Sequence, residues 1–216
     1  MMEKVKTTEE TGVEKNSGKT DLPVIFFETG QEWRKWLEQN HTDLKGVWLR
    51  FYKKGTGKTS LNHDTALDEA LCYGWIDGQA RLNDAVGQAK AYDSESYLQK
   101  FTPRRPRSIW SKRNIEHVAR LEKEGKMQPA GWKEVEAAKT DGRWARAYDS
   151  PANMVIPEDF LSELSKDKKA LAFFETLNKT NTYAIAWRLQ TAKRPETREK
   201  RKKLIIEMLA RGEKFH

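Results

Sequence analysis

The sequence predicts an α+β protein, on three observations. The first half alternates short apolar, β-prone runs (Val24–Phe27, Val47–Tyr52, Tyr97–Phe101) with stretches of helical periodicity. The last third carries helical periodicity alone. Between them lies Ala147-Tyr148-Asp149-Ser150-Pro151-Ala152-Asn153-Met154, a segment with the composition of a linker. The expected organisation is an N-terminal antiparallel or mixed sheet with packed helices over residues 21–146, a linker at 147–154, and a small helical domain over 155–212. Residues 1–20 are read as a disordered tail: Lys4, Lys6, Lys15 and Lys19 balance Glu3, Glu9, Glu10 and Glu14, and no apolar stretch there could serve as a signal peptide.

Each element has a local reason. Val24-Ile25-Phe26-Phe27 reads as a strand. Thr29 and Glu32 follow with the spacing of a capping box, and Trp33, Trp36 and Leu37 form the buried stripe of a helix reaching about Asn40. Val47–Tyr52 has bulk on both faces, which marks a central strand without choosing its inward side. Asn62 or Asp64 can cap a helix through Ala66, Leu67, Ala70 and Leu71 that ends near Gly74. Asp77-Gly78 reads as a turn, with Gln79–Asn83 and Gln88–Tyr92 as hairpin strands and Tyr97–Phe101 extending the sheet. From Ser108 the pattern is helical: Ile115, Val118, Ala119 and Leu121 form one stripe, stopped by Gly125. Trp132, Val135 and Ala138 form another, closed by Gly142. Pro157 stands at a first helical position before Phe160, Leu161 and Leu164. Leu171, Phe174 and Leu177, then Tyr183, Ala186, Trp187 and Gln190, then Leu204, Ile205, Met208 and Leu209, mark three further helices. These are too short to persist alone and must pack on one another or on the first half.

Composition narrows the setting. A third of the 216 residues are charged and mean hydropathy is −0.88, yet eight Trp and eight Phe supply core anchors that a disordered chain lacks. The single cysteine, Cys72, excludes an internal disulfide framework and a Cys-based zinc cluster, and fits a reducing cytoplasm. No segment approaches a membrane-spanning length. The formal charge of +8 is concentrated: residues 100–126 hold nine Lys or Arg against three Glu, and residues 188–216 hold ten against four. Such stretches attract polyanions or acidic surfaces.

Several motifs fail as chemistry. Gly57-Lys58-Thr59 resembles the end of a phosphate loop, but Tyr52 occupies the place of its first glycine, inside a strand. Cys72 sits near a helix C-terminus, where the dipole disfavours a thiolate. None of the four histidines has metal-ligand spacing, so no metal or cofactor is expected. Asp68 and Glu69, adjacent on a helix, diverge. Asp77 is different, because Trp75 and Ile76 partly desolvate it and a carboxylate so placed seeks a cation such as Arg104 or Arg105. Lys200-Arg201-Lys202-Lys203 reads as the start of a helix, poorly matched to its dipole, and so as a candidate basic patch.

The signatures resemble a known family. Glu69-Ala70-Leu71-Cys72-Tyr73-Gly74-Trp75-Ile76-Asp77-Gly78, Thr102-Pro103-Arg104-Arg105, Ser108-Ile109-Trp110-Ser111 with Asn114, and Gly125-Lys126-Met127 before Gly131 are similar to consecutive blocks of the YdeI or OmpD-associated, bacteriocin-protection family. Ala192-Lys193-Arg194-Pro195-Glu196-Thr197-Arg198, ahead of an apolar helix and Gly212, resembles that family's C-terminal OmdA-like block. The likeness spans roughly residues 24–212. It implies association with envelope stress and resistance to antimicrobial peptides, and no established reaction.

Together these point to a non-enzymatic, cytoplasmic stress-protection protein that binds an anionic small molecule or an acidic partner. The candidate cleft has Tyr73, Trp75 and Asp77 on one wall and Arg104, Arg105, Ser108, Trp110, Ser111 and Asn114 on the other. Arginine forks take carboxylate or phosphate bidentately, and indole faces stack planar groups. Two alternatives stand beside it: nucleic-acid binding through residues 100–126 and 188–216, or an enzyme using Asp77 as a general base.

Overall fold

The computed structural model describes residues 22–82, 95–150 and 152–214. The tail expected at 1–20 and the strand expected at Gln88–Tyr92 lie outside them. The chain is mixed α+β, with a four-stranded sheet in its N-terminal half and helices dominating the C-terminal region. It divides into two compact units: one runs to Ser108 and resumes at His117–Asp141, and the other comprises Ile109–Glu116 and the residues from Gly142 onward.

The first unit holds β1 (Val24–Phe26), α1 (Gly30–Asn40), β2 (Val47–Tyr52), α2 (His63–Cys72), β3 (Trp75–Leu82), β4 (Ser96–Pro103) and α4 (Pro129–Thr140). The division falls within α3 (Lys112–Lys123). The sheet order is β1-β2-β4-β3, parallel between β1 and β2 and antiparallel elsewhere. Strand β2 is therefore interior, and Val47, Trp48, Leu49 and Phe51 are all buried, which is why its sequence has bulk on both faces.

The core lies between the sheet and α1 and α2. Thr29 and Glu32 form the capping box that starts α1. Fully buried Trp33 then meets Phe101 and Trp75 with ring centres 5.8 and 6.3 Å apart, and its indole N–H donates to the Ala66 carbonyl at 3.0 Å. The Trp75 indole donates to the His41 carbonyl. Helix α4 approaches α2 closely at Gly131, where an added Cβ would sit 2.3 Å from the Cys72 carbonyl oxygen.

Asp77-Gly78 is not a turn. The reversal occurs at Gly74, whose φ of 75° favours glycine, and β3 runs straight through Asp77, with the register shifting between Asp77 and Ala80. Glycine signalled an irregularity in both places, but at Gly78 it marks a bulge.

In the second unit, α5 (Glu158–Leu164), α6 (Lys168–Glu175), α7 (Lys179–Gln190) and α8 (Pro195–Ala210) bury Phe160, Leu164, Ala170, Ile185, Leu189, Ile205 and Leu209 in one cluster. Pro157 stands at the N-cap position of α5, so the helix begins one residue later than expected. Helix α8 starts at Pro195, so Lys200–Lys203 occupies its middle and opposes no helix dipole. Asn178 and Asp167 cap α7 and α6 with side-chain acceptors.

Candidate functional site

Alternation along β4 and β3 builds a cleft on the sheet face opposite α1 and α2. Val47 and Phe101 are register partners on the helix-covered face, so Lys100 and Thr102 point the other way, alongside Ile76, the partner of Thr102. After Pro103 the Arg104 amide donates to the Gly74 carbonyl at 2.9 Å, holding the chain against the start of β3. A tight turn follows, closed by the Ser108 amide donating to the Arg105 carbonyl at 2.9 Å. Pro106 takes its second position and Arg107 its third, with φ 76°. This is a type II turn with arginine where glycine is the usual occupant. Among the described residues, Arg107 alone of the non-glycines has positive φ. Strand and turn together border a half-open cleft of about 590 Å³, lined by Ile76–Gln79, Lys100, Thr102, Pro103 and Arg105–Ser108.

Three cations, Lys100, Arg105 and Arg107, thus line one cleft with a single carboxylate, Asp77. That carboxylate is engaged elsewhere. Asp77 is the register partner of Phe101, so its side chain leans to the helix-covered face, where His63 Nε2 lies 3.2 Å from Oδ2. His63 opens α2, with its ring beside Phe51 and Phe101 and its Nδ1 3.7 Å from Asp64. The hydrogen bond to Asp77 raises the imidazole above its ordinary value, against the opposing effect of burial. Asp77 therefore takes a histidine of α2 as its partner and not the arginine expected from sequence. The cleft keeps a cationic balance.

Residues 153–212 match the family model described as Bacteriocin-protection, YdeI or OmpD-Associated. The chain carries a domain of the YdeI or OmpD-associated family. Residues 25–134, about half of the chain, match a second model, a domain of unknown function (DUF8412), and every residue lining the cleft falls within that span. No curated protein and no solved structure matches. The YdeI or OmpD-associated domain at 153–212 suggests a role associated with bacteriocin protection.

Of the nine residues singled out in the sequence, Arg105 and Ser108 come together at the cleft, which Asp77 borders with its carboxylate turned to His63. Tyr73, Trp75 and Arg104 lie in the same unit but are buried. Tyr73 sits beneath the Arg34 guanidinium, 5.6 Å from the ring centre, and burial pushes its phenol up. Trp110, Ser111 and Asn114 belong to the other unit. There Trp110 is buried with its ring centre 4.9 Å from that of Trp144, and the Ser111 hydroxyl accepts from the Asn114 amide at the start of α3. Lys100, Thr102 and Arg107 are cleft residues missing from the site expected from sequence, although Thr102 opens one of the signature blocks. Strand alternation from Phe101 and the Pro-Arg turn were the signals that could have found them.

The basic stretches are partly consumed inside the fold. Asp159 takes Arg198 at 2.7 Å, Glu199 takes Lys202 at 2.9 Å, and Arg201 donates to the Arg188 carbonyl at 2.7 Å. Arg120 forks onto Asp68, which also holds His117 at 2.6 Å, while Glu69 turns to Arg34. Asp68 and Glu69 are ties between elements, pointing apart as adjacent helical residues must. Cys72 is buried, and desolvation pushes its thiol up to about 11. Among the described residues, no group of three His, Cys, Asp or Glu could hold a metal ion, and no helix is long and apolar enough to cross a membrane.

Proposed function

We propose that this protein is a non-enzymatic, cytoplasmic protection factor that binds a small anion in the cleft between β3, β4 and the Arg105–Ser108 turn. One observation carries this: Lys100, Arg105 and Arg107 converge on the cleft while Asp77, its one carboxylate, is drawn to His63 across the sheet. A volume of about 590 Å³ falls in the usual range of small-molecule sites, which favours a small ligand over an acidic protein surface. Two guanidinium forks and an ammonium suit phosphate or polycarboxylate, and the Ser108 and Thr102 hydroxyls add neutral donors. Bacteriocin protection would then depend on occupancy of this cleft.

Calorimetric titration with inorganic phosphate, pyrophosphate and citrate tests the proposal. R105A/R107A should weaken binding of whichever of these the native protein takes by at least about tenfold, since charge-assisted hydrogen bonds contribute roughly 1.5–3 kcal/mol each. A deletion strain carrying that variant should remain bacteriocin-sensitive. Equal affinities in a folded double variant, or no binding of any of the three by the native protein, would overturn it.

A further inference from the structure

The sheet surface beside the cleft carries a feature that anion binding leaves unused. Trp48 is the register partner of Lys100, and Arg81 and Arg50 both pair with Leu98, so Trp48, Lys100 and Arg81 all lie on or border one sheet face. The Arg81 guanidinium carbon lies 4.2 Å from the centre of the Trp48 ring, and the Lys100 ammonium lies 5.9 Å from the same ring. Trp48 is 5% exposed, whereas Arg81 is exposed. One side of the guanidinium thus rests on indole, which fixes the orientation of a planar cation at the surface.

Distance links this platform to the cleft. Lys100 belongs to both, as a cleft cation and as the neighbour of Trp48. Leu98, the partner of Arg81, is two residues from Lys100 on β4, or about 7 Å at the usual strand rise. A ribose bridges such a separation between a phosphate and a heterocyclic base. Bases stack on arginine planes as they do on aromatic rings, and a guanidinium already held on tryptophan gives up little freedom in doing so.

We infer that cleft and platform together form a mononucleotide site, with the phosphate on Lys100, Arg105 and Arg107 and the base on the outer face of Arg81. This rests on anion binding in the cleft and adds the ligand class. Among the described residues the platform offers a flat face and no hydrogen-bonding pattern matched to one base, so purine monophosphates are taken by stacking area.

Titration with AMP, ribose 5-phosphate and inorganic phosphate separates the two claims. The native protein should bind AMP about tenfold more tightly than ribose 5-phosphate, within the range that stacking one base supplies. In R81A, and in R81K, which keeps the charge but removes the plane, that ratio should fall towards one. Equal affinities for AMP and ribose 5-phosphate in the native protein would overturn the mononucleotide site and leave the anion cleft standing. A tenfold ratio that survives both Arg81 variants would overturn it as well. Failure of all three probes to bind would overturn the mononucleotide site, and, if pyrophosphate and citrate fail to bind as well, the anion cleft with it.

Discussion

Replacing Arg107 with glycine should stabilise the fold and damage binding at once. Arg107 holds φ 76° at the third position of the Arg105–Ser108 turn. A side chain in that left-handed region costs roughly 1–2 kcal/mol relative to the right-handed one, a penalty that glycine does not bear. Against this, glycine loses more backbone freedom on folding, about 0.5–1 kcal/mol. The difference leaves R107G more stable by about 0.5–1 kcal/mol, or roughly 1–4 °C in thermal midpoint for a chain of this size. Binding moves the other way, because one of three cleft cations is gone: affinity for phosphate or citrate should fall about tenfold. Thermal melting followed by near-ultraviolet circular dichroism and calorimetric titration measure the two quantities on one sample. A melting point lowered by the substitution would refute the strain. A raised melting point with unchanged anion affinity would show that Arg107 has no part in binding.

Three further outcomes follow from the packing. His63 is raised above its ordinary pKa chiefly by its hydrogen bond to Asp77, so the stabilisation it supplies is complete below about pH 6.5 and is lost as pH rises through the native value. Stability measured in urea across pH 5.5–8.5 should decline more steeply in the native protein than in D77N, and identical slopes would count against the pairing. Cys72, buried with its thiol pushed up to about 11, should resist Ellman's reagent in the folded protein and react at once in guanidinium, whereas rapid native labelling would place it at the surface. G131A should lose at least about 2 kcal/mol in chemical denaturation despite alanine's better helix propensity, because its methyl would sit 2.3 Å and 2.7 Å from the Cys72 and Leu71 carbonyl oxygens. A neutral G131A would mean that α4 can shift away from α2 at little cost.

Much of the fold was legible because its signals are local. The Thr29–Glu32 capping box, the Asn62 cap and the stop at Gly125 depend on residues three or four apart, and each lies where the sequence put it. The start of α8 was misjudged for a local reason too: its first turn, Pro195–Arg198, is polar all round, so apolar periodicity begins only at Leu204. What the sequence could not supply was pairing. Whether Trp48 or Leu49 faces the helices depends on which residue of β4 lies opposite, and that partner is some fifty positions away.

The same parity decides the chemistry of the cleft. Asp77 and Ile76 are neighbours in the chain, yet a strand sends one side chain to the helices and the other to the cleft. Had Gly74 and Trp75 led into the turn that Asp77-Gly78 suggests, the carboxylate would have been free to meet Arg105 and neutralise it. Because β3 instead passes straight through Asp77, the register with Phe101 delivers that carboxylate to His63, which α2 presents from its first position. The histidine is 14 residues from Asp77 and carries no motif spacing with it, so only the packing of α2 on the sheet brings the two together. That pairing leaves Lys100, Arg105 and Arg107 without a carboxylate turned towards them from β3. The acidic residue that the sequence offers as the arginines' partner thus faces His63 instead, and the proposed anion site depends on that orientation.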